Sequence, residues 1–236
     1  MNNSFSTTRW TLVLDAADRA GGDNRPALEV LCRQYWAPLY SFARRKGQSH
    51  EDAQDATQAF FAHLLESNLP ARATPELGRF RSFLLKAFQN FLSIQYRDAT
   101  RVKRGGTDAM HLSMDEYPSL HEEVLSGDSP EKSYERKWAH TLLNLALEQL
   151  AEEQKELNNE ERFAAMRPLL LNAQKGDAAE KELARQLGMS EANIRASLSR
   201  LRGDFRDLVR AEVARIVDDP ADIDDEIAYL LRALKE

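Results

Sequence analysis

Apolar residues fall at intervals of three and four along most of this chain, and that spacing constrains its fold more than any other feature. From Ala27 to Leu65 the series Leu28, Leu31, Tyr35, Trp36, Leu39, Phe42 and then Phe60, Phe61, Leu64, Leu65 follows it. Residues so spaced share one buried face of a helix. Gly47-Gln48-Ser49 interrupts the series, and Ser49 ahead of Glu51 and Asp52 reads as a helix cap followed by an acidic first turn. A second helix is therefore predicted from Ser49 or His50. A loop holding Pro70, Pro75 and Gly78 follows, and Phe80, Phe83, Leu84, Phe88, Phe91 and Leu92 then predict a third helix running to about Arg101. With only 10 Gly and 8 Pro in 236 residues, turn-formers are too few for a sandwich or barrel. The expected class is all-α.

Between Gly105 and Glu135 the pattern lapses. Asp108, Asp115, Glu116, Glu122, Glu123, Asp128, Glu131 and Glu135 face a single Lys132, among Pro118, Pro130 and scattered serines. Such a composition cannot bury enough apolar surface to offset the entropy of ordering it, and it reads as an acidic linker. Helical spacing returns at Trp138 with Leu142, Leu145 and Leu150, and continues through Phe163, Met166 and Leu170 to Gly176-Asp177. The expected organisation is two small helical domains: residues 1–104, a linker over 105–135, a second domain over 136–217, and a C-terminal extension over 218–236. In that extension Ile223, Ile227, Leu230, Leu231 and Leu234 mark an acidic amphipathic helix set off by Pro220. Completing the second domain's core is its expected role, and covering a DNA-binding or polymerase-binding surface is the alternative.

The most specific local signal runs from Glu180 to Arg202 and fits a helix-turn-helix in the second domain. Ala184 is small enough for two steeply crossed helices to approach, Gly188 suits the turn, and Ser190 can cap the second helix. On that helix Ile194, Leu198, Leu201 and Phe205 fall on one side, while Ala192, Arg195, Ala196, Ser199 and Arg200 fall on the other. Small residues would let the outer face sink into a DNA major groove, where Arg195, Arg200 and the flanking Arg202 can reach bases or phosphates. An ordinary helical hairpin with solvated arginines is the alternative.

A second basic site surrounds the third predicted helix. Arg79, Arg81, Lys86, Arg97, Arg101, Lys103 and Arg104 are opposed there only by Asp98, and Phe80, Phe83, Phe88, Phe91 and Tyr96 are interleaved with them. Cations neutralise phosphates and aromatic faces stack on unpaired bases, a combination suited to a strand being opened. The same apolar residues can equally be core.

Signals for chemistry are weak. His50, His63, His111, His121 and His140 lack ligand spacing, Cys32 is the sole cysteine, and neither a phosphate-binding glycine loop nor a nucleophile elbow occurs. No enzyme, cofactor or metal site is expected. No stretch approaches the roughly twenty apolar residues of a membrane span, and Met1-Asn2-Asn3-Ser4 lacks the basic and apolar parts of a signal peptide. The expected location is the cytoplasm, which also suits the single cysteine. The net charge of -6 averages over segments of opposite sign and does not by itself exclude DNA.

Taken together, these residues resemble a bacterial RNA polymerase sigma factor of the extracytoplasmic-function group. Leu39-Tyr40-Ser41-Phe42-Ala43-Arg44-Arg45-Lys46-Gly47, followed by Glu51 to Phe61, is similar to region two of that family, whose second helix docks on the β′ clamp helices. Glu51, Asp52, Asp55, Gln58 and Phe61 are the docking residues the resemblance implies. Gly78-Arg79-Phe80-Arg81-Ser82-Phe83-Leu84 and Asn90 resemble the part that melts and reads the downstream promoter element, and Arg97 and Arg101 of the basic stripe are expected DNA contacts beside them. The helix-turn-helix resembles region four, which reads the upstream element and has the β flap as its polymerase partner; Arg195, Ser199 and Arg200 fall at its usual DNA-facing positions, and Asn193, Ala196 and Arg202 are expected to face DNA beside them. The ordered pair of regions with an acidic linker between them is the most specific part of the likeness.

The departures carry expectations of their own. Gln54 and Ala59 stand where the family often has carboxylates, leaving Glu51, Asp52 and Asp55 to meet a basic partner. A phosphate on Thr57 would add about two negative charges to that helix, so control by a serine/threonine kinase is one expectation, with Thr57 as a plain helix residue the other. An anti-sigma factor is a further possible partner. Ser197 replaces a position often basic in the family and Ile94 one often acidic, so the promoter sequence does not carry over. The alternatives to a sigma factor are a helix-turn-helix regulator acting without polymerase and an all-helical protein-binding adaptor.

Overall fold

Each predicted run of helical spacing becomes a helix in the computed structural model, which describes residues 25–66, 80–99, 129–170, 176–215, 217 and 220–235. Among these residues there are eight α-helices and no strand: α1 Arg25–Arg45, α2 His50–Glu66, α3 Phe80–Ala99, α4 Pro130–Glu156, α5 Glu160–Leu170, α6 Gly176–Leu187, α7 Glu191–Ala214 and α8 Ile223–Lys235, with a 3₁₀ turn at Pro220–Asp222 before the last. The all-helical class is thus observed. By its internal contacts the chain divides into two compact units, Met1–Thr141 with Val213–Glu236, and Leu142–Glu212.

One kind of turn recurs where these helices end. After α1, Gly47 adopts φ +90° while its N–H donates to Arg44 O at 3.0 Å and the Gln48 N–H reaches back to Ala43 O at 3.3 Å. Asn158 after α4 (φ +56°) and Gly188 after α6 (φ +62°) repeat the pattern, with Asn159 bonding to Gln154 O at 2.8 Å and Met189 to Ala184 O at 2.9 Å. The pair of bonds satisfies carbonyls that a helix end would otherwise leave without donors, and it requires a left-handed residue between them. Glycine and asparagine are the residues that take that conformation at least cost. Ser49 then caps α2, its Oγ accepting from the Asp52 N–H at 3.0 Å and donating to the Asp52 carboxylate at 2.8 Å.

In the first unit, α1 buries Leu31, Tyr35, Trp36, Leu39 and Phe42, α2 buries Ala53, Ala56, Phe60, Phe61 and Leu64, and α3 buries Phe80, Leu84 and Phe88. Phe88 sits edge-on to Phe60, with centroids 5.0 Å apart, and to Phe42 at 6.1 Å. Fully burying one such ring is worth about 1.5–3 kcal/mol, before the smaller gain of edge-to-face geometry. The sequence reading placed residues 130–135 in a linker and began the second domain at 136. Instead α4 starts at Pro130, and its stretch through Thr141 belongs with the first unit. The reason is that Tyr134 and Trp138, one helical turn apart, are wholly buried there, and the Ser133 hydroxyl lies 2.7 Å from that of Ser41. Of the acidic residues that suggested a linker, the two that are described have partners, with Glu131 3.9 Å from Lys46 and Glu135 3.2 Å from Arg81. Residues 105–128 lie outside the described set.

The C-terminal helix is a second correction. α8 belongs to the first unit rather than completing the second domain's core, and it buries Glu226 and Leu230. The second unit has its own core, in which Leu147, Leu150, Phe163, Met166, Leu169, Leu170, Leu183, Ala184, Ile194, Leu198 and Leu201 form one cluster.

Candidate nucleic-acid interface

In the second unit α6 and α7 are joined by the Gly188 turn. The Ser190 Oγ accepts from the Asn193 N–H at 3.2 Å, and Ser190 O accepts from Ile194 N at 3.0 Å, which starts α7 immediately after the turn. Ala184 is buried in α6, within the core cluster of this unit. On α7 the division of faces is sharp. Ile194, Leu198 and Leu201 are buried, whereas Ala192, Asn193, Arg195, Ala196, Ser199 and Arg200 are exposed. The exposed set combines two guanidinium groups with small side chains, which lets another surface come close to the helix.

Two neighbouring residues behave otherwise. Arg202, expected to flank the DNA-facing group, is half-buried and donates through Nη2 to Leu169 O at 3.0 Å, so it ties α7 to the end of α5. Ser197 is buried and accepts from Arg162 Nη2 at 2.6 Å. Beside that bond lies a cavity of about 230 Å³, lined among others by Asn159, Arg162, Ser197, Arg200 and Asp204. A serine at 197 is therefore a core-edge residue that orients Arg162.

In the first unit the residues expected to dock on a partner divide. Glu51, Asp52 and Asp55 are exposed on α2, and Gln58 is half-buried. Phe61 is buried against Phe60 and is a core residue instead of a docking residue. Thr57 is fully buried, and its hydroxyl donates to Ala53 O at 2.7 Å. It stands four residues after the buried Ala53, on the same inner face, where a kinase cannot reach it in the folded chain. Thr57 is a buried helix residue rather than a site open to phosphorylation.

The α3 residues also divide. Asn90 is exposed, as are Ile94 and Tyr96, the latter the most open large apolar side chain among those described. Arg79 and Arg101 lie outside the described residues, and so does the side chain of Arg97. Arg81 departs most from expectation: only 4 % of it is accessible. Its guanidinium pairs with the carboxylates of Glu226 and Glu135, and it lies over the rings of Trp138 and Tyr229 at 4.4 and 4.5 Å. Burial works against its charge, but Glu135 and Glu226 outweigh that and raise its pKa, so the group stays a cation. Burial and the same Glu135 raise the pKa of Tyr229. Sequence reasoning missed Glu135, Trp138, Glu226 and Tyr229 as partners of Arg81. The only signal was the four-residue step from Tyr134 to Trp138 and the face shared by Ile223, Glu226, Ile227 and Leu230.

Among the described residues no group of three or more His, Cys, Asp or Glu is placed to hold a metal ion, and no helix is long and apolar enough to cross a membrane. Comparison with family models, with curated proteins and with solved structures returned no match.

Proposed function

We propose that the chain is a transcription initiation factor of the sigma type, which binds core RNA polymerase, recognises promoter DNA and assists its melting. The observation that carries the reading is the division of α7, whose buried Ile194, Leu198 and Leu201 leave Asn193, Arg195, Ala196, Ser199 and Arg200 outward directly after a glycine turn and a serine cap. In this reading α6 and α7 form a helix-turn-helix, with α7 as the helix that enters the major groove. Exposed Glu51, Asp52 and Asp55 on α2 supply the carboxylates for a basic polymerase surface. The chain makes and breaks no bonds itself. Polymerase does the chemistry, and two modest DNA contacts mounted on one enzyme gain strength from their high effective concentration.

The test is run-off transcription with purified chain, core polymerase and genomic promoter fragments. Initiation from defined sites supports the reading, and failure to associate with core polymerase overturns it. The burial of Arg81 and Phe61 favours one second reading, a helix-turn-helix regulator in which only the second unit meets DNA. It would appear in the same experiment as specific duplex binding without initiation.

A further inference from the structure

We propose that α8 is an intramolecular cover over Arg81, and that its Glu226 carboxylate and the phosphates of a DNA strand compete for this one guanidinium. The inference rests on the reading of the first unit as a strand-binding body. Of the four groups that enclose Arg81, Glu226 and Tyr229 come from α8, whereas Glu135 and Trp138 come from α4. Removing α8 would therefore open one side of the guanidinium while Glu135 and the Trp138 ring still hold it in position.

The way α8 is seated suits a contact that can be released. Along its length only Glu226 and Leu230 are buried, while Ile223, Ile227, Tyr229, Ala233 and Leu234 are half-covered. One of its two buried side chains is thus an ion, and its partner is an ion too. Pairing two charges away from water forfeits the hydration of both, so the attraction is largely offset, and separation restores that hydration. A seat made of leucines alone would return nothing on release. A phosphate, like a carboxylate, offers a guanidinium two anionic oxygens, so a strand can replace Glu226 without leaving Arg81 unsatisfied.

If the competent state is the fraction with α8 released, the apparent affinity for a strand falls by that fraction. The experiment measures anisotropy of a fluorescein-labelled, random-sequence single-stranded DNA with the full chain, Glu226→Gln, Asp225→Asn, a chain ending at Asp219, and that shortened chain carrying Arg81→Ala. The expected result is strand binding tightened about five- to ten-fold by Glu226→Gln and by shortening. Asp225→Asn, which removes the same charge without touching the pair, changes it little, and Arg81→Ala abolishes the gain. Equal affinity for the full chain, Glu226→Gln and the shortened chain overturns the cover. So does loss of helical circular dichroism on shortening beyond that of the 13 residues of α8 itself, because a cover must leave folded what it covers, and so does a gain that survives Arg81→Ala. Association of the same proteins with core polymerase is measured in parallel; if none associates, it is the sigma-type reading that fails.

Discussion

The Tyr134 hydroxyl donates to the backbone carbonyl of Arg81 across 3.0 Å, inside the first unit and shut away from water. This bond joins α4 to the first turn of α3 over 53 residues of chain. Tyr134→Phe keeps the ring and removes the donor, and a buried hydrogen bond of this kind contributes about 1 kcal/mol. Burial raises the phenol's pKa well above its ordinary value of 10.0. The folded chain thus holds this proton more tightly than the unfolded chain does. Its contribution is fully present below pH 10 and is lost as the pH climbs toward the folded value. Urea unfolding of wild type is expected to weaken above that pH, and Tyr134→Phe is expected to be less stable near neutrality but less sensitive to alkali.

Thr57 supplies a second expectation. A glutamate there would place an ionised carboxylate on a fully buried face, a change that costs about 3 kcal/mol or more. Thr57→Val keeps the shape, and the Ala53 carbonyl retains its ordinary helical acceptor role, so the loss should stay within about 1 kcal/mol. Chemical denaturation of the two variants separates them. Mass spectrometry after incubation of the native chain with a serine/threonine kinase should find Thr57 unmodified.

The helices were legible in the sequence because each buried face repeats within four residues, and the caps were legible because Gly47, Ser49, Gly188 and Ser190 stand where backbone geometry demands them. The inward face of α7 was read correctly for the same reason. What could not be read was which partner each face meets. Trp138 was recognised as helical but assigned to the wrong unit, since spacing is silent about whether a stripe covers α1 and α3 or α5 and α7. Arg81 was taken for a surface cation because its enclosing residues lie 54 and 145 positions away. Charge counted along the chain is a poor guide to burial when acids so distant can converge. Glu131 and Glu135 misled for a related reason: an acidic run marks a tether only while its carboxylates lack cations to meet.

The turn between α6 and α7 can be tested by its two defining residues. At Gly188, φ is +62° and an added Cβ would meet nothing within 4 Å, so Gly188→Ala should cost about 1 kcal/mol through the backbone alone. Ser190→Ala removes the acceptor of the Asn193 N–H and should cost about 1 kcal/mol as well. The residues are close neighbours in one turn, so the double variant should depart from the sum of the two. Thermal unfolding of the three variants, followed by circular dichroism, measures this coupling.

The arginines of α7 offer the sharpest contrast, because neighbours in sequence do different work. Arg195 and Arg200 are exposed, and their replacement by alanine should leave the unfolding midpoint unchanged. If each neutralises one phosphate, each replacement should weaken binding to promoter duplex and reduce the slope of log affinity against log salt by about 0.9. Arg202 is half-buried and bonds to Leu169 O at 3.0 Å, while its Nε is buried and makes no hydrogen bond among the described residues. Arg202→Ala should therefore lower the midpoint, through loss of that bond and of the packed stem, and leave the salt slope close to that of wild type. A salt slope that falls for Arg202→Ala but not for Arg195→Ala or Arg200→Ala would mean that DNA meets another face of the helix. Duplex binding titrated at several salt concentrations, paired with thermal unfolding of the same three proteins, distinguishes the outcomes.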